Sequence, residues 1–368
     1  MIYLDYQATT PLAPEARDAM LRWLDGRAAN PHSPHRAGRE AAAAVELARE
    51  QVAAPLGAGR LIFASGATEA ANTAIQGVMQ SSDRRRLVTI ATEHACVLDT
   101  AAAMGGDGAE VVILPVGPDG LVDMAAAEAA IDSRCALVSV MHVNNEIGVV
   151  QPIEALASLA RKAGAPLHLD AAQGYGKLPI PRGAADFISI SAHKIYGPIG
   201  IGALWMADGR SLPGLLHGGG QEAGIRSGTI SPALAAGFGA AAALAFARMD
   251  EDKAHVERLA RQLRASLPDW TWNGAEQPRW PGNANLRHQG VEAARLISEL
   301  RGLAFSAGSA CASGSGRPSH VLKAIGLSDA EARASIRLGF GRYTTADEIT
   351  QATAMIREAA ARQMEWAA

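Results

Sequence analysis

Lys194 is the first residue in this sequence with a chemical rather than a structural reason for its position. The chain holds five lysines (Lys162, Lys177, Lys194, Lys253 and Lys323) against 29 arginines. An amine that is to join a carbonyl compound covalently must sit at a strand end, shielded enough to lose its proton. Lys194 does so in Ala192-His-Lys194, directly after the apolar run Phe187-Ile-Ser-Ile-Ser191. Lys162 and Lys253 fall in charged helical segments, Lys323 near a short helix end and Lys177 in a Gly/Pro loop. Asp170 closes another run, Leu167-His-Leu169, with Gln173 three residues on. A buried carboxylate there meets a cationic ring nitrogen while the amide reaches a ring hydroxyl, a pairing that suits a pyridinium; the same Asp also suits a helix cap. Ser65-Gly-Ala-Thr68 offers a tight turn and bare N–H groups to an anion, although Ser and Thr there are also ordinary caps. His94 follows the run Leu87-Val-Thr-Ile-Ala91, where an imidazole lies against an aromatic cofactor, moves a proton or simply makes a hydrogen bond. Cys311 stands in Ser306-Ala-Gly-Ser-Ala-Cys-Ala-Ser-Gly-Ser-Gly316, too small and mobile a stretch for core, which favours a nucleophile. Cys96 and Cys135 have apolar surroundings and read as inert fillers.

These residues share one address. The runs 61–64, 87–91, 136–143, 167–169 and 187–191 are each followed by Gly, Ser, Asn or His and then by a helical pattern. Strands alternating with helices predict an α/β fold with a mostly parallel sheet covered on both faces, and such sheets bind ligands beyond the carboxyl ends of their strands. Crossover helices are expected over 67–80, 123–131 and 153–163, the last stopped by Gly164. A long charged helix from about 250 to 266, followed by a Trp/Pro/Gly/Asn-rich stretch, marks a second, smaller unit beginning near residue 250.

With 48% apolar and 19% charged residues and a formal net charge of −3, the chain has no field that draws nucleic acid or an anionic membrane. A small-molecule substrate or a protein partner is expected instead. The uncharged stretch 227–247 is mostly Ala and Gly with Pro232 inside, and it reads as a buried helix rather than a membrane span. Three cysteines without metal-site or CxxC spacing suit a reducing cytoplasm, and the acid at Asp5 argues against a secretory signal.

Taken together, the motifs resemble the cysteine desulfurases of the NifS/IscS-like group, within the class V aminotransferases of fold-type I pyridoxal-phosphate enzymes. The resemblance runs through Tyr3-Leu-Asp-Tyr-Gln-Ala-Thr-Thr-Pro11, Ser65-Gly-Ala-Thr-Glu69, Met141-His-Val-Asn-Asn-Glu-Ile-Gly148 and His193-Lys-Ile-Tyr-Gly-Pro198. It continues through His217-Gly-Gly-Gly-Gln221, Arg226-Ser-Gly-Thr229, Gly308-Ser-Ala-Cys311 and Ser335-Ile-Arg337. It implies a large cofactor domain over 13–250 and a small α+β domain formed by 1–12 with 251–368. The implied cofactor is pyridoxal 5'-phosphate, held covalently by Lys194, with Asp170 on the pyridine nitrogen, Gln173 on the ring oxygen and His94 stacked on the ring. Ala67, Thr68, Ser191 and His193 would hold the phosphate, with Thr229 reaching in from the partner of a homodimer. Asn145 and Arg337 would hold the carboxylate of L-cysteine, and Cys311 would take its sulfur, leaving L-alanine. No resident metal is implied, although Cys311 would meet an iron-sulfur cluster during transfer. The sulfur acceptor would be an iron-sulfur scaffold or a tRNA-thiolation protein. Ala192 stands where many members have Gly, and the chain stops at Ala368, where scaffold-donating members often run further. Rival expectations are a selenocysteine lyase, another class V aminotransferase or a silent assembly scaffold.

Overall fold

The computed structural model describes residues 1–26, 28–307 and 318–367; Cys311 lies outside the described residues. Its strands, in chain order, are β1 (Ile2–Tyr3), β2 (Gly59–Ala64), β3 (Arg86–Ile90), β4 (Glu110–Leu114), β5 (Cys135–Met141) and β6 (Leu167–Asp170). There follow β7 (Phe187–Ser191), β8 (Gly202–Ala207), β9 (Thr271–Trp272), β10 (Asn283–Arg287), β11 (Leu303–Ala304) and β12 (Ser335–Gly339).

Seven of them form one sheet in the order β2-β8-β7-β6-β5-β3-β4. Every pairing is parallel except the two made by β8. The expected apolar runs become β2, β3, β5, β6 and β7, and their composition explains the fold. β5 and β7 are buried at every residue, which is how a parallel strand covered on both faces reads. Sequence patterning missed β4, because it is an edge strand that leaves Ile113 54% exposed, and β8, which runs antiparallel and leads to no reactive side chain. The expected crossover helices appear as Ala67–Ser81, Met124–Ala130 and Ile153–Lys162, with Gly164 at φ +65° just beyond the last.

The Ala-rich segment forms the helix Pro232–Ala247, packed against the helices Pro14–Leu24 and Arg36–Ala53. Its small residues set how closely the helices approach: a Cβ on Gly239 would lie 2.8 Å from the Ala48 Cα. Among the described residues no single helix is long and apolar enough to cross a membrane. Beyond it, β12, β10 and β9 form an antiparallel sheet, and β1 pairs with β11. Leu259, Leu286, Ile336, Leu338 and Ile356 pack there, with Leu4 from the N-terminal segment, into a core separate from that of the large sheet.

Candidate active site

The strand ends of the large sheet place the site. A cavity of about 830 Å³ opens beyond the carboxyl ends of β2, β5, β6 and β7. Ala67, Thr68, His94, Asn145 and Asp170 line it, as do Gln173, Ser191, His193, Lys194 and Arg337. Ten of the residues singled out from sequence thus meet in one chamber. Thr229 does not; it is exposed and lies outside its own chain's cavity.

Lys194 ends the short 3-10 turn Ala192–Lys194 that follows β7. Its Nζ donates to the carbonyls of Gln7 (2.6 Å) and Ala8 (2.7 Å). Asp170, the last residue of β6, is 6% exposed. Its Oδ1 accepts from the Ala172 N–H at 2.9 Å, and the Cys96 Sγ lies 4.0 Å from Oδ2. Burial pushes this carboxyl above its ordinary range, while the Ala172 N–H and the nearby His94 and Lys194 pull it back. A buried carboxylate at the wall of the cavity suits a cationic N–H, which would offset the cost of its burial.

The helix Ala67–Ser81 begins at Gly66, and no side chain caps it. Its first N–H groups have no intrahelical acceptor and face the cavity mouth beside Ser191 and His193, which is the arrangement that receives an anion. The ordinary-cap reading of Ser65 and Thr68 is therefore not what the backbone does. His94 caps the helix Ala95–Gly106, its Nδ1 accepting from the Cys96 N–H at 3.1 Å. That bond leaves Nε2 to carry the proton of the neutral ring. Burial holds the imidazole below its ordinary pKa, against the pull of Asp170. The ring therefore both caps a helix and faces the cavity. Burial likewise holds the His193 imidazole down, to about 4.

Arg337, in β12, is 1% exposed. It donates to Asp5 Oδ1 (2.7 Å), Ser306 Oγ (3.2 Å) and the Asn145 carbonyl (3.1 Å), and among the described residues its Nε has no partner. The small sheet thus delivers a guanidinium to the large sheet's cavity. Sequence reasoning did not single out Asp5, Gln7, Glu93, Glu146 or His320. Asp5, Gln7 and Glu146 lay inside quoted motifs, but nothing local shows that Asp5 neutralises Arg337 or that Gln7 seats Lys194. Glu93 and Glu146 draw their roles from burial, which pushes both carboxyls up, whereas the exposed His320 lines the cavity with its ring 2.8 Å from the Glu93 carbonyl. Cys96 lines the cavity rather than filling a purely apolar site, but burial raises its thiol and keeps it protonated.

A helix-flanked, mostly parallel sheet with a lysine, a buried aspartate and a bare helix start at its carboxyl edge defines a fold-type I enzyme of the kind that uses pyridoxal phosphate. The aminotransferase class V model matches residues 2–351. A cysteine desulfurase IscS of Rickettsia akari (strain Hartford) is 44% identical over 369 residues, covering 96% of this chain and 90% of the relative. A solved NifS-like protein superposes with a TM-score of 0.91 at 30% identity, covering 97% of this chain and 98% of the other. The structure described as SspA in complex with cysteine does so with a TM-score of 0.84 at 35% identity, covering 94% and 100%. The chain belongs to the class V aminotransferase family, in its cysteine desulfurase branch.

Proposed function

We propose that this protein is a pyridoxal-5'-phosphate-dependent cysteine desulfurase that moves sulfur from L-cysteine to its own Cys311 and releases L-alanine. The observation that carries the reading is the convergence of Lys194, the buried Asp170 and the uncapped helix start at Ala67 in one cavity. The donor set fits the cofactor. Lys194 would supply the covalent link, Asp170 the counter-charge for the ring nitrogen, Gln173 an N–H for the ring oxygen and His94 a contact to the ring. Ala67, Thr68, Ser191 and His193 bind the phosphate. The cofactor contributes an electron sink for negative charge at the substrate α-carbon.

The rest is work for the chain's own groups. Arg337 and Asn145 bind the substrate carboxylate, for which a planar guanidinium is the suitable donor. The Lys194 amine, once released, takes the α-proton, and the Nε2–H side of His94 moves a second. The Cys311 thiolate attacks the substrate sulfur, so that the carbon–sulfur bond breaks and a sulfur–sulfur bond forms on Cys311, and the β-carbon and then the α-carbon each gain a proton as alanine forms. The persulfide then passes to an acceptor, an iron-sulfur scaffold or a tRNA-thiolation protein.

A homodimer, with Thr229 of one chain reaching the other's phosphate, is supported by exposed apolar side chains, Ile199 lining the cavity at 71% and Leu216 bridged to Arg226 at 41%. Separate apolar cores support division into a large domain over 13–250 and a small one formed by 1–12 with 251–368. The half-buried Cys96 and the buried Cys135, both unpaired thiols, support a reducing, cytoplasmic setting. The test is borohydride reduction of the cofactor-loaded protein and mapping of the labelled peptide. The label is expected on Lys194 and absent from Lys194→Ala; a label retained elsewhere in that variant overturns the reading.

A further inference from the structure

Lys177 plays no part in the chemistry above, yet it is the most unusual lysine in the chain. It is 8% exposed, and among the described residues its one side-chain hydrogen bond goes to a neutral acceptor: Nζ donates to Gln173 Oε1 at 3.1 Å. A buried ammonium with a single neutral acceptor is a poor way to stabilise a fold, because desolvation of the charge outweighs one hydrogen bond. The backbone is arranged to put it there nonetheless. Lys177 follows Gly174-Tyr-Gly176, in which Gly176 takes φ +70° and a Cβ on Gly174 would fall 2.1 Å from His142 Nδ1. The Lys177 N–H closes the turn onto the Gly174 carbonyl at 3.1 Å, which brings the side chain back under Gln173.

From there a polar chain runs to Lys194. Gln173 Nε2 donates to the Gln7 carbonyl at 2.9 Å, and that same oxygen accepts from Lys194 Nζ at 2.6 Å. An ammonium offers only donors, so Lys177 fixes Oε1 on its own side and turns the amide N–H groups toward Gln7 and the cavity. We propose that Lys177 is a positioning residue: it locks the Gln173 amide with its donors facing the cavity and places a second amine in the hydrogen-bonded network that seats Lys194. The inference rests on Lys194 being the cofactor-bearing residue. The charged groups facing Lys194 set the balance: Asp170 and His94 on one side, His193 beside it and Lys177 behind Gln173. Burial with the Lys194 charge brings Lys177 itself down to about 7, as expected of two cations sharing one buried network.

The experiment compares the cofactor-loaded protein with Lys177→Met and Lys177→Arg. The first reading is the pH midpoint of the visible band of the Lys194-bound cofactor; the second is the cofactor dissociation constant; the third is the thermal midpoint. Removing the nearby positive charge lets the Lys194 nitrogen keep its proton to higher pH. Lys177→Met therefore raises the band's midpoint by about half to one pH unit and weakens cofactor binding by roughly 3- to 10-fold, about the loss of one hydrogen bond. The thermal midpoint stays level or rises, since a buried charge has been removed. Lys177→Arg keeps donor and charge and holds the band's midpoint near that of the parent. A Lys177→Met protein whose band titrates at the parent pH overturns the inference, and so does one whose only change is lost thermal stability. The Lys194→Ala label separates the two readings. If borohydride labels another residue in that variant, the assignment of the site fails; if the label is lost while Lys177→Met titrates as the parent does, only the role of Lys177 fails.

Discussion

Replacing Asp5 by Asn removes the carboxylate that, among the described residues, forms the ion pair with Arg337, and keeps a side chain of the same shape. Arg337 is 1% exposed, and its Nη2 lies 2.7 Å from an Asp5 Oδ1 whose side chain is 18% exposed. With charge centres about 4 Å apart and an effective dielectric near 20, the attraction is about 4 kcal/mol. The Asn amide oxygen keeps a hydrogen bond but not the charge, so the guanidinium is left buried without a counter-ion. Breaking a buried pair in this way costs about 3–5 kcal/mol. At about 1.3 °C per kcal/mol, the conversion that an unfolding entropy of about 2.1 cal/mol/K per residue gives for a chain this long, the thermal midpoint of the loaded protein falls by roughly 4–6 °C. The same change removes a negative charge that competes with the substrate carboxylate for Arg337, so the KM for L-cysteine falls while stability falls. Arg337→Lys moves KM the other way, because a point charge cannot reproduce the guanidinium fork. Calorimetry with steady-state alanine formation reads both. A midpoint within 1 °C of the parent would refute the reasoning.

The cysteines divide by environment. Cys311→Ser should keep the cofactor band and form almost no sulfide or alanine, since a hydroxyl cannot accept sulfur, whereas Cys96→Ser and Cys135→Ser should keep most activity by the same assay. Acid stability follows from buried histidines. Burial holds His142 at about 4 and His168 at about 3, against about 6.5 in the unfolded chain. Both stay neutral in the fold while the unfolded chain takes up protons, so the stability they contribute is complete above pH 6.5 and is lost as pH falls toward 4. Near pH 5 the loss is about 2 kcal/mol for each, and His142→Asn should flatten the denaturation midpoint against pH over that window; an unchanged slope would count against it.

The sequence alone carried the α/β class, because strands buried on both faces must be written as unbroken apolar runs, and β5 and β7 are written that way. It also carried the address of the chemistry. Lys194, Asp170, His94 and the Ser65–Thr68 turn each follow such a run, and in a parallel sheet those positions share one edge. Two longer-range facts remained beyond it. The partners of Arg337 lie 332 residues away at Asp5 and 192 away at Asn145, and no local pattern encodes which distant acceptor neutralises a guanidinium. Lys177 looked like a loop lysine because loop composition, Gly and Pro, is all a sequence shows there. Only the packed turn under Gln173 removes it from water and sets it against Lys194. Pairing and burial are properties of the assembled core, and they decide which of several plausible charges actually meet.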